Sequence, residues 1–181
     1  MHIIFQTPRL ILSQFRESDA PLILQLNSDT QVLKYVHEPV LQTTDEAIKI
    51  INEIIIPQYK KKLGRWAIHS RENMEFIGWC GLKQIPDNEK PENYIIDLGY
   101  RLIRSAWGKG YATEAAQYTL YFGFNNLNIE LITGRSHIEN TASIKILEKL
   151  GMKFVKEETV DDCPLRRYII ANPSLFSAPF L

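Results

Sequence analysis

The sequence predicts a single α/β domain, and three observations carry that reading. Runs that alternate apolar and polar residues interleave with runs whose apolar residues recur every three or four positions. The sharpest junction links residues 94–102, which alternate, to Ala112, Ala115, Ala116, Thr119, Leu120 and Phe124, which form one helical face. The chain has 181 residues, a length suited to one domain, and no repeat, low-complexity tract or linker divides it.

Each element has its own signal. Residues 7–15 set Leu10, Leu12 and Gln14 against Ile11, Ser13 and Phe15, as in a first strand. Glu17-Ser18-Asp19-Ala20-Pro21 then opens a helix, with Pro21 near the first position, where a missing N–H is harmless. Thr43 or Thr44 caps a second helix running from residue 45 toward 62 and ending near Gly64. Asp45 and Glu46 in its first turn and lysines in its last suit the dipole, and Pro57 should kink or split it. Residues 65–70 and 75–83 flank the polar turn Arg71-Glu72-Asn73 as a hairpin. Residues 85–93 hold Pro86, Asp87, Asn88, Pro91 and Asn93 and read as a loop feeding strand 94–102. Residues 130–136 form another strand. Asn140 caps a helix over 141–150, with Gly151 placed as its stop. Residues 152–157 and 165–171 are closing strands, and 172–181 form a tail that either dangles or docks on a partner chain.

Composition excludes several classes. Lysine plus arginine and aspartate plus glutamate both total 21, so the formal charge is zero, which argues against nonspecific nucleic-acid binding. Cys80 and Cys163 lie far apart and outside any Cys-x-x-Cys pattern, as free thiols in a reducing compartment do. No apolar stretch approaches the ~20 residues of a membrane span. The opening Met-His-Ile-Ile-Phe-Gln lacks the basic and long apolar regions of a signal peptide, so a cytoplasmic location is expected. His2, His37, His69 and His137 show no metal-ligand spacing, so no metal is expected.

The stretch that organises the rest is Ser105-Ala106-Trp107-Gly108-Lys109-Gly110-Tyr111-Ala112-Thr113-Glu114-Ala115-Ala116. Two glycines at a strand-to-helix joint let the backbone adopt positive φ and let a ligand approach. The helix after them offers unpaired N–H groups and the positive end of its dipole, a site for a phosphate or pyrophosphate. The Walker spacing is absent, and the dinucleotide fingerprint fails because Thr113 stands where its third glycine or alanine belongs, although Glu130 lies at the distance of a ribose-binding acid. Trp-Gly-Lys-Gly-Tyr-Ala-Thr-Glu-Ala closely resembles the pyrophosphate loop of the GNAT superfamily of acyl-CoA N-acyltransferases, in its RimJ/RimL-like branch. Thr-x-Arg-Leu-x-Leu from Thr7, and Asn140 to Phe154, resemble the opening and the second acyl-CoA segment of the same family. Ser105 departs from the Gln or Arg common there in the wider superfamily, while Trp107 matches the branch.

The resemblance implies a GNAT-like fold over residues 1–181: a central mixed, mostly antiparallel sheet flanked by helices. The parallel strands carrying Asp97 and Thr133 should splay at the acyl-CoA site. It implies acetyl-CoA as co-substrate and transfer of acetyl to an amine. Leu102, Trp107, Gly108, Lys109, Gly110, Tyr111, Ala112 and Asn140 would bind the cofactor. Asp97, an aspartate in an otherwise apolar strand, matches a family strand Glu beside the acceptor amine and is the candidate base, through a bridging water because it is one methylene shorter. His137 is the minor alternative. Ser143 is the candidate acid toward the CoA sulfur, since no tyrosine follows until Tyr168; a water is the alternative. The acceptor is a protein N-terminal amine, or a small-molecule amine or antibiotic, and the chain is a monomer or homodimer. The competing readings are a non-catalytic acyl-CoA-binding sensor, against which Asp97 and Ser143 count, and a nucleotide-binding protein, which lacks its motif.

Overall fold

The computed structural model describes residues 1–36, 38–87 and 93–172. Among them, one mixed sheet is built from β1 (Ile3–Gln6), β2 (Leu10–Gln14), β3 (Gly64–Ser70), β4 (Phe76–Pro86), β5 (Tyr94–Leu102), β6 (Leu131–His137), β7 (Lys153–Val160) and β8 (Cys163–Ala171). Their spatial order is β1-β2-β3-β4-β5-β6-β8-β7. Every neighbouring pair is antiparallel except β5–β6. This is the expected α/β, mostly antiparallel mixed sheet. β5 and β6 pair only at Asp97↔Thr133 and Leu98↔Gly134, so they part beyond that point.

Alternation along the strands sorts side chains into two cores, one per face. On one face, α5 (Tyr111–Asn125) and α6 (Thr141–Lys149) press Leu120, Phe124 and Leu147 onto Leu12, Trp66, Leu82, Leu98 and Ile132. On the other, α1 (Ala20–Asn27) and α3 (Thr44–Ile50) bring Ile23, Leu26 and Ala47 onto Phe15, Ala67, Phe76 and Trp79. Burying one such aliphatic side chain is worth about 1.5–3 kcal/mol, so both helix layers are held mainly by these contacts.

Thr43, not Thr44, caps α3: its hydroxyl accepts from the Glu46 N–H, and the Glu46 carboxylate accepts from the Thr43 N–H at 2.9 Å. The helix does not run on intact. A wide π turn over Ile51–Ile55 interrupts it, and α4 (Ile56–Tyr59) starts with Pro57 in its first turn, so proline splits the helix as expected and ends it earlier. Asp19 precedes α1 without a side-chain capping bond, its carboxylate accepting instead from the Arg16 N–H at 2.9 Å, and Pro21 lies in the first turn.

Three differences separate the sequence reading from the fold. β1 had no strand signal of its own; it is set by pairing with β2. The short α2 (Thr30–Leu33), capped by Asp29, also went unread. β4 runs through Ile85 and Pro86, which the proline content had suggested were loop. Proline is tolerated there because β3 pairs no further than Leu82, leaving that edge of β4 open. His37, part of the 85–93 loop and the tail after 172 lie outside the described residues.

Candidate active site

The junction between β5 and α5 is shaped for an anion. Gly108 and Gly110 both have positive φ, +74° and +79°, and Gly110 is the residue that caps α5. Trp107, Gly108, Lys109 and Gly110 are all exposed. A Cβ on Gly108 would meet nothing within 4 Å, so the loop surface is open. The Trp107 indole donates to the Leu102 carbonyl at 2.9 Å, fixing the loop to the strand end, while the Leu102 side chain is in the core. Tyr111 and Ala112, both half-buried, begin the helix. Convergent backbone N–H groups at such a helix start suit a pyrophosphate, so these residues fit the co-substrate the resemblance implies.

Glu114 in the first turn of α5 would oppose an anion, and it is neutralised from the N-terminal segment. Its carboxylate accepts from the Thr7 hydroxyl and the Arg9 guanidinium. Arg9 also donates to the Lys109 carbonyl at 3.0 Å and lies 4.7 Å from the Tyr111 ring centre. The Thr-x-Arg motif thus clamps the glycine loop. The sequence showed the motif but not what it grips.

Where β5 and β6 part, a cleft of about 300 Å³ opens. Asp97, Asn140, Ser143 and His137 all line it, so the fold gathers these sequence-predicted residues in one place. Asp97 is 4 % exposed and accepts from the Thr133 hydroxyl at 2.9 Å. Lys83 Nζ and Arg135 Nε stand 3.9 and 3.5 Å from its two oxygens. Asn140 caps α6, accepting the Ser143 N–H at 3.1 Å. His137 stacks on Tyr35, and its Nδ1 accepts from the Glu139 N–H at 3.1 Å. That bond occupies the lone pair a base needs.

Several residues that shape the cleft went unread in the sequence. Tyr100 of β5 reaches across the parted strands, its hydroxyl 3.0 Å from Ser143 Oγ, and burial pushes that phenol upward. Glu38 faces Arg101 at 2.7 Å and Arg65 at 3.2 Å. Burial pushes its carboxyl up, but the Arg101 and Arg65 guanidiniums outweigh that and hold it at about 2. Both guanidiniums lie over Trp79, at 4.8 Å for Arg65 and 5.7 Å for Arg101. The only sequence signal for Tyr100, Arg101, Arg65 and Trp79 was their position on strands, and Glu38, in the segment between α2 and α3, had none. Among the described residues no three His, Cys, Asp or Glu side chains gather as metal ligands would.

The parallel strands β5 and β6 thus part between an exposed glycine loop at the end of β5 and a cleft lined by titratable side chains. A family model described as an acetyltransferase (GNAT) domain matches residues 9–153. The chain is 35% identical over 171 residues to the uncharacterized N-acetyltransferase p20 of Bacillus licheniformis, covering 94% of this chain and 93% of that protein. Its fold matches, with a TM-score of 0.78, RimL, a ribosomal L7/L12 alpha-N-protein acetyltransferase solved with coenzyme A. Identity there is 17%, over 94% of this chain and 98% of that one. It also matches the Vibrio cholerae spermidine N-acetyltransferase, solved with CoA and spermine: TM-score 0.74 and 19% identity, over 92% and 97% of the two chains. The chain belongs to the GNAT acetyltransferase family and is an acyl-CoA N-acyltransferase.

Proposed function

We propose that the protein transfers acetyl from acetyl-CoA directly to an amine seated beside Asp97. One observation carries this reading: the glycine loop and the Asp97–Ser143 cleft flank the same parted strands. Leu102 and the loop from Trp107 to Ala112 hold the pyrophosphate end, with Lys109 adding an exposed charge and Asn140 ordering the start of α6. The amine nitrogen bonds to the acetyl carbonyl carbon and the carbon–sulfur bond breaks. The amine proton passes to Asp97, through a water, and the leaving thiolate takes a proton from Ser143 as Ser143 regains one from water. Burial in the cleft strengthens each of these charge interactions relative to water. Two free, buried cysteines support a cytoplasmic setting, and among the described residues no helix is long and apolar enough to cross a membrane.

The test is amine-dependent thiol release from acetyl-CoA. Asp97→Asn keeps the shape and removes the charge, so turnover should fall about 10²-fold or more at neutral pH while calorimetric acetyl-CoA binding is retained. The acidic limb of the pH–rate profile should vanish with it. An Asp97→Asn enzyme with wild-type turnover and profile would remove Asp97 from proton transfer.

A further inference from the structure

The cations lining the cleft are used unequally. Arg65 and Arg101 share Glu38 through direct hydrogen bonds, and Arg101 also donates to Asn27 at 2.8 Å. Lys83 and Arg135 share Asp97, at 3.9 and 3.5 Å, and neither contact is a hydrogen bond; the Thr133 hydroxyl takes that place. The Arg135 side chain is only 14% exposed, and its Nε is fully buried with no hydrogen-bond partner among the described residues. Two cations therefore face one carboxylate on the cleft floor. The remaining carboxylate in the lining, Asp161, is exposed in the turn between β7 and β8, and His137 is held by its Nδ1 bond. Burial pushes the Lys83 ammonium down, against the pull of Asp97. Half-buried donors without acceptors are uncommon in folded proteins and costly to keep.

We propose that the acceptor is a small amine that carries its own oxyanion, as an α-amino acid does, with the oxyanion at Lys83 and Arg135 and the amine toward Asp97. This rests on the acetyl-transfer reading. A zwitterion matches the pattern, because its ammonium complements Asp97 and its oxyanion completes the two cations. A guanidinium and an ammonium suit carboxylate and phosphate alike, so an aminoalkyl phosphate shares the chemistry. A polyamine brings only positive charge to a floor already in cationic excess, and a peptide N-terminus brings an amide where the carboxylate would sit.

The probes are the free amino acids against their α-amides, phosphoethanolamine against ethanolamine, and spermidine. Each is titrated calorimetrically into the full chain with CoA bound, then offered as an acceptor in thiol release. At least one acid or phosphate should bind about tenfold or more tighter than its neutral match, with spermidine weaker than either. The pair that shows the preference identifies carboxylate or phosphate as the source. Arg135→Gln should collapse that acid-to-amide ratio toward one, and the ratio cancels any effect passed through Asp97. Melting curves check the fold, and Lys83→Met tests the same ratio should Arg135→Gln not fold. Amides equal to acids, spermidine as the tightest probe, silence across the panel, or a ratio that survives both substitutions overturns the proposal. Oxyanion-selective binding without turnover would strike the transfer reading and leave the oxyanion site standing.

Discussion

At the scale of single residues, the meeting of Tyr100 and Ser143 changes what Ser143 can do. A serine alone on the first turn of a helix is a poor acid with a freely rotating hydroxyl. Here a phenol sits 3.0 Å from it and also reaches its carbonyl at 3.2 Å, so the serine oxygen is held facing the parted strands. The two hydroxyls should therefore act as one unit. Ser143→Ala and Tyr100→Phe are each expected to lower kcat by about three- to tenfold, less than Asp97→Asn, because water can protonate a thiolate. The double mutant should cost little more than the worse single one, a coupling that a double-mutant cycle on kcat reads directly. Full additivity would show that the two hydroxyls work separately.

The glycine loop and α5 work at the scale of an element. Gly110 holds a left-handed conformation at the helix cap, and β-branched residues rarely adopt it. Gly110→Val should leave the fold intact, because the loop is exposed, and should abolish calorimetric acetyl-CoA binding. Wild-type affinity in a folded Gly110→Val protein would refute the assignment of the pyrophosphate site. Arg9 acts on the same element from a distance in sequence. Arg9→Ala removes the cation that neutralises the Glu114 carboxylate, leaving it held by the Thr7 hydroxyl and the residue 9 N–H, and unpins the Lys109 carbonyl. The KM for acetyl-CoA should rise about two- to fivefold with a smaller change in kcat, since an exposed charge near a helix N-terminus is worth roughly 0.3–1 kcal/mol.

Over the whole molecule, Glu38 links segments that lie far apart in the chain. Through Arg101 of β5 and Arg65 of β3 it ties the segment after α2 to the sheet, and Arg101 passes the tie to Asn27 of α1. Its folded-state carboxyl is held at about 2, below the ordinary value of 4.5. A depressed carboxyl contributes stability that is fully present above the unfolded value and is lost as pH falls through the folded one. Wild-type melting temperature should therefore drop more steeply than that of Glu38→Gln between pH 4.5 and 2. The two curves should converge at the acid end. Parallel curves would mean that Glu38 titrates normally.

The sequence by itself determined the elements that carry local signals. The β5–Gly108-x-Gly110–α5 junction, the Asn140 cap with Gly151 as stop, a threonine cap at Thr43 or Thr44 and the break at Pro57 each rest on neighbours close in the chain, so propensity and spacing expose them. Asp97 stood out for a similar reason, as the one charge in the apolar run from Tyr94 to Tyr100. Tertiary structure decided what depends on pairing between distant segments. β1 exists because β2 offers it an edge, and β4 continues through Pro86 because β3 stops short. The pairing of Lys83 and Arg135 with Asp97 follows from strand register and from the parting of β5 and β6, which no local pattern encodes. Arg9 reaches Glu114 across 105 residues of chain and Tyr100 reaches Ser143 across 43. Such contacts are set by how the sheet closes, because a side chain's own sequence neighbours carry no record of what the fold brings against it.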